Sequence, residues 1–176
     1  MKFLKKANRG IIFLILLILS VSIYIVVCSV KRSDMMSDSE NFINQFVDKE
    51  NGWRVIPDEY KDDLEGYIKS IEEDVRPYFE NDKAYDAYIE NVIMVQYKDY
   101  VFIEGMDVNR ISIELFSFDG EQATCEFTVD YNMKTSENAG QSDSDSLFSG
   151  FKMKLSQVNN KIKIVSHDID VYDFIQ

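Results

Sequence analysis

The stretch RISIELFSFDGEQATCEFTVDYNM, residues 110–133, decides the fold. Its opening, RISIELFSF, reads as a strand, and Asp119-Gly120 is a strong signal for a two-residue hairpin. Beyond it Ala123, Cys125, Phe127, Val129, Tyr131 and Met133 face one way. Thr124, Glu126, Thr128, Asp130 and Asn132 face the other. An antiparallel pair with one apolar face needs a second layer to cover that face.

Working outward, the strand pattern continues on both sides. VQYKDYVFIEG, residues 95–105, reads as a strand before the hairpin. SLFSGFKMKLSQV, residues 146–158, follows it with Phe151, Met153 and Leu155 on one face. Asn159-Asn160 turns the chain into a last strand, KIKIVSHDIDVYDF, and the polar stretch TSENAGQSDSDS, residues 135–146, reads as a loop. That makes about five antiparallel strands. Upstream the period changes to helical. Ser37 and Glu40 stand at capping-box spacing before Phe42, Ile43, Phe46 and Val47, a helix of about three turns stopped by Asn51-Gly52. Pro57 opens a second helix, whose apolar stripe is Tyr60, Leu64, Tyr67, Ile68, Ile71 and Val75. Its other face is acidic, with Asp58, Asp62, Asp63, Glu65, Glu72 and Glu73, and Pro77 ends it. A third helix carries Tyr85, Tyr88, Ile89 and Val92. The expected class is therefore α+β, with about three helices packed on a curved antiparallel sheet.

The chain begins differently. IIFLILLILSVSIYIVVCSV, residues 11–30, holds no charge, Gly or Pro. At about 1.5 Å per residue it covers roughly 30 Å, the thickness of a hydrocarbon core. Lys2, Lys5, Lys6 and Arg9 precede it, against Lys31 and Arg32 after it. This asymmetry puts residues 1–10 in the cytoplasm and everything after Val30 outside, with Arg9, Lys31 and Arg32 marking the membrane boundary. Residues 31–36 read as a linker and 37–176 as the extracytoplasmic domain. The junction at Cys28 has three readings: an uncleaved anchor, a cleaved signal and a lipid-attachment cysteine. The length of the run and the absence of a small-x-small site favour the anchor over cleavage, and Val27 before Cys28 departs from the lipoprotein pattern.

All 31 acidic residues lie at or after Asp34, while six of the 19 basic ones precede it. So acidic a domain repels nucleic acid and anionic headgroups. Cys125 is its one cysteine, so it has no internal disulfide, and the chain carries no N-x-[ST] sequon. Both absences fit a bacterial envelope protein.

The order of three helices then strands, the Asp-Gly hairpin and the final pair FKMKLSQVNNKIKIVSHDIDVYDF resemble the nuclear-transport-factor-2-like, cystatin-like cone superfamily. The resemblance covers about residues 37–176 and implies a cone-shaped domain. A single span ahead of such a domain is further similar to the scaffold subunits of conjugation and type IV secretion machines. That similarity implies a domain that contacts other envelope proteins, with a homo-oligomer among the options, and performs no catalysis. Two other classes come with the cone: a module that binds a small ligand or senses one, and an enzyme.

His167, the only histidine, lies in SHDIDVYD beside Asp168, Asp170 and Asp173. His167, Asp168 and Asp170 are the catalytic candidates, because a histidine held by a carboxylate titrates near neutrality. Strand geometry sends 167 and 168 to opposite faces, and no nucleophile, base and orienting group assemble from this set. The default expectation for His167 is a solvated strand end. Metal binding has only D-x-D pairs such as Asp143 and Asp145, without a calcium-loop pattern or a Cys/His cluster. No metal and no cofactor is expected. Tyr60, Tyr67, Tyr78, Tyr85, Tyr88, Tyr97 and Tyr100 would suit an apolar ligand, but their helical spacing reads first as core. An interior filled by Phe and Tyr favours a scaffold, whereas an open apolar pocket favours a ligand-binding module.

Overall fold

The structure, a computed structural model, describes residues 9–95, 103–135 and 145–170. Helix α1 runs from Arg9 to Arg54 without interruption. Its N-terminal part is long and apolar enough to cross a membrane, and the side chains from Ile11 to Val30 are all exposed. Within this run Ser20 and Ser22 turn their hydroxyls back to donate to the carbonyls of Leu17 and Ile18 at 2.8 Å, so neither is left bare in an apolar medium. The expected linker at 31–36 is helical. Neither Gly nor Pro occurs between Ile11 and Asn51, so the polar residues there change the helix's surroundings without breaking it. The cap expected at Ser37 is not used, and Gly52 lies inside the last turn. The helix stops two residues later, three before Pro57.

Past residue 34 the same helix becomes amphipathic. Met35, Ser39, Ile43, Phe46, Val47, Glu50 and Arg54 form its buried stripe. After a 3₁₀ turn at Asp58–Tyr60, α2 spans Leu64–Val75 and buries Tyr67, Ile71 and Val75. The expected second helix thus divides. Asp63 interrupts it as an N-cap whose carboxylate accepts from the Gly66 amide at 2.9 Å. Helix α3, Asp82–Tyr88, is capped by Asn81 and passes directly into a π-turn at Ile89–Ile93. The wider turn keeps Ile89, Val92 and Ile93 all buried.

The described residues form one four-stranded antiparallel sheet in the order β1-β2-β3-β4, with strands Ile103–Phe118, Gln122–Thr135, Asp145–Val158 and Lys161–Asp170. Among the described residues the expected five or so strands are four. Residues 110–118 and the end of the expected 95–105 strand form one strand, carried through Met106–Asn109 by three register shifts against β2. The remainder of the 95–105 stretch, most of the 135–146 loop and the C-terminal residues from 171 lie outside the described residues.

The alternation of β2 holds: Ala123, Cys125, Phe127, Val129 and Tyr131 are buried, while their neighbours in sequence stay partly exposed. The β1–β2 turn falls one residue later than the Asp-Gly pair. The amide of Asp119 donates to the Gln122 carbonyl, so Gly120, at φ +107°, and Glu121 are the turn residues. The Asp119 carboxylate accepts from the amides of Glu121 and Gln122, which lowers its pKa. Asn159 and Asn160, at φ 50° and 60°, make the β3–β4 turn. Helix α1 lies over the inner sheet face, with the β1–β2 turn near Lys31 and Asp34 and the other sheet end near Asn51 and Gly52. On the outer edge of β4, Phe79 adds a parallel bridge to Ile164.

A buried polar cluster as the candidate functional site

Phe46 is the hub of the core. Its ring meets those of Trp53, Tyr78, Phe79, Tyr88 and His167 at centroid separations of 5.5–6.2 Å. Phe127 and Phe151 stack at 5.3 Å on the sheet side, and Phe151 lies 5.5 Å from His167. These rings pack between the helices and the sheet. Surface grooves lie elsewhere: one of about 680 Å³ runs between Lys31–Asp38 and the β1–β2 turn, and none of the core residues named here lines it.

His167 is not at a solvated strand end. It is 4% exposed, among aromatic rings. The cause is a bulge in β4. Leu155 pairs with Ile164 and Lys154 with Ser166, so Val165 is extra and the strand's parity changes there. Ile164 before the bulge and His167 after it therefore both face inward. Asp168 is exposed and pairs across the sheet with Lys152, on the opposite face from His167 as strand geometry requires. Asp170 closes β4 opposite Gly150, and its side chain lies outside the described residues, as does Asp173. His167 and Asp168 are thus not brought together.

What reaches His167 instead is Glu50, from α1. Nε2 of His167 and Oε1 of Glu50 are 3.7 Å apart, with side chains 0% and 1% exposed. One helical turn on, Arg54 is buried, donates from Nη1 to the Tyr131 hydroxyl at 3.3 Å, and lies over the Tyr131 ring. Tyr88, at the end of α3, is buried facing the Glu50 carboxylate. Both Glu50 oxygens, both His167 ring nitrogens and the Tyr88 hydroxyl lack a hydrogen bond of good geometry. Five ionisable or hydroxyl-bearing residues from α1, α3, β2 and β4 therefore meet in the middle of an aromatic core.

Burial is the main influence on each shifted group. It pushes the Tyr88 phenol well above its ordinary value, with the Glu50 charge acting the same way. It also raises the Tyr131 phenol, which Arg54 partly offsets. His167 is shifted down by burial, held up in part by Glu50 and pushed further down by Arg54. Outside the cluster, burial lifts the Cys125 thiol to about 11, beside the buried Ser39 hydroxyl. Such a thiol stays protonated and is inert as a nucleophile at neutral pH.

In the sequence Glu50, Arg54 and Tyr131 have no place in a site: the helix is expected to end at Asn51-Gly52, and Tyr131 is only one residue of a strand face. The signal was present in the spacing: 43, 46, 47, 50 and 54 continue one stripe. Among the described residues no group of three or more His, Cys, Asp or Glu side chains is placed to hold a metal ion. No protein-family model matches the chain, and a search of the curated proteins returned no match.

Proposed function

We propose that this chain is a membrane-anchored scaffold whose domain, exported beyond the bilayer, binds other proteins of an envelope assembly. The observation that carries this reading is the unbroken α1. The helix that is apolar enough to span a membrane is also the helix around which the domain's core is built, through Ile43, Phe46 and Val47. A domain seated this way holds a fixed direction relative to the membrane, which suits a structural part. The ring-filled interior favours a scaffold over a small-ligand module. Two surfaces offer contact. The outer sheet face carries Thr128, Lys152 and Asp168, and the acidic side of α2 carries Glu65 and Glu73.

The test is site-specific photocrosslinking in native membranes, from Thr128 and Lys152 on the sheet and from Glu65 and Glu73 on α2. The scaffold reading expects discrete protein adducts from at least one surface. Adducts to lipid alone, or a small molecule that copurifies in stoichiometric amount, would overturn it. Labelling of a cysteine placed at Ser117 by an impermeant reagent in intact cells tests export, and protection there would refute it.

A further inference from the structure

The buried cluster is a seam between α1, which carries the candidate span, and β4, the last strand of the sheet. Glu50 and Arg54 face His167 from α1, and Tyr88 faces it from α3. Tyr131 on β2 holds Arg54, while β3 presents only Phe151 and Met153. Asp168, next along β4, points to solvent. Among the described residues Glu50 is the carboxylate that faces His167, and Arg54 brings a guanidinium into the same cluster. A proton on His167 adds a cation beside Arg54, within a shell of Phe46, Tyr88 and Phe151 rings. The imidazole is buried, so that charge is desolvated, a cost that the carboxylate 3.7 Å away offsets only in part.

We propose that Glu50 and His167 form a proton-operated latch: neutral His167 lets β4 close on α1, and proton uptake in mild acid loosens that seam and the seat of the domain on its helix. The sign follows from the balance at His167. Burial and Arg54 outweigh Glu50, so the folded state binds its proton less readily than the unfolded chain, whose value is the ordinary 6.5. Below about 6.5 the unfolded or opened chain therefore carries more protons. The contribution of a neutral His167 is complete above that pH and is lost as pH falls towards the lowered folded value. Acid opens the latch and alkali leaves it shut.

The test uses the full chain in lipid nanodiscs. The chain has one histidine, so its labelled imidazole gives an unambiguous nitrogen resonance. The latch expects that imidazole to titrate below the ordinary 6.5. It also expects amide opening along residues 43–54 and 161–169 to increase by about tenfold per pH unit below 6.5, after correction for intrinsic exchange, until the folded value is reached. His167→Phe, which suits the aromatic shell, should abolish that slope, and Glu50→Gln should move the imidazole titration to lower pH. A wild-type imidazole that titrates at the ordinary value with flat opening overturns the proposal. So does an unchanged slope in His167→Phe. Should that variant fail to fold, the wild-type resonance and exchange profile decide alone.

Discussion

Oε1 of Glu50 stands 3.7 Å from Nε2 of His167, and Arg54 one turn further along the same helix reaches the Tyr131 hydroxyl. Arg54 thus brings a guanidinium into the same buried cluster as the Glu50 carboxylate, a partial balance of its charge. Arg54→Ala leaves Glu50 buried without that balance and should cost about 3–5 kcal/mol. Replacing the set together, with Glu50→Leu, Arg54→Met and His167→Phe, should recover most of the loss, because apolar groups of similar size need no compensation. Guanidinium denaturation of both variants in detergent checks the contrast. Equal losses would show that shape rather than charge governs the site.

A second prediction concerns Asp63 and Gly66. A Cβ at Gly66 would lie 2.3 Å from Oδ2 of Asp63, the side chain that caps α2. Gly66→Ala alone should change stability little, since the helix gain of about 1 kcal/mol is offset by a lost cap of about the same size. In an Asp63→Ala background the cap is already gone, and the same substitution should stabilise by about 1 kcal/mol. Additive effects across this double-mutant cycle would refute the coupling.

The β3–β4 turn gives a third. Asn159 and Asn160 both hold positive φ, where a Cβ is strained unless the side chain is Asn or Asp. Asn160→Val should lower stability by about 1–2 kcal/mol, while Asn160→Gly should leave it nearly unchanged. Thermal unfolding of the two variants separates them, and a Val variant as stable as wild type would contradict the turn.

The fourth tests α1 as a single rigid element. Arg32 and Ser33 are exposed and lie between the apolar run and Met35, the first buried residue of the domain. Arg32→Gly with Ser33→Gly should leave the domain's unfolding midpoint almost unaltered. It should broaden the electron-spin distance distribution between labels at Leu19 and Thr128, because two glycines loosen a helix at solvent-exposed positions. A distribution as narrow as wild type would mean that contacts outside α1 fix the domain.

Much of the architecture was legible because periodicity reports burial directly. The β2 alternation from Ala123 to Tyr131 and the stripe Tyr67, Ile71 and Val75 appear as read. What escaped were features with no periodic signature. The bulge at Val165 is a one-residue event that alternation blurs rather than reveals, and it carries His167 inward. The continuity of α1 was hidden because a change from apolar to polar was read as a break. Composition alone ends no helix where Gly and Pro are absent. Glu50 and Arg54 continue the stripe of Ile43, Phe46 and Val47, but nothing local in the sequence shows that Tyr88, Tyr131 and His167 meet them.

With residues 11–30 in a bilayer, the 24 residues from Lys31 to Arg54 rise about 36 Å from its surface. On that placement the β1–β2 turn, beside Lys31 and Asp34, would lie at the headgroup end, and Gly105, beside Asn51 and Gly52, at the far end. The sheet would then stand upright, with β1 and β4 along its sides. Neighbours in the same bilayer then meet it sideways, by lateral diffusion. Encounters of that kind depend on copies per unit area of membrane rather than on concentration in the surrounding fluid.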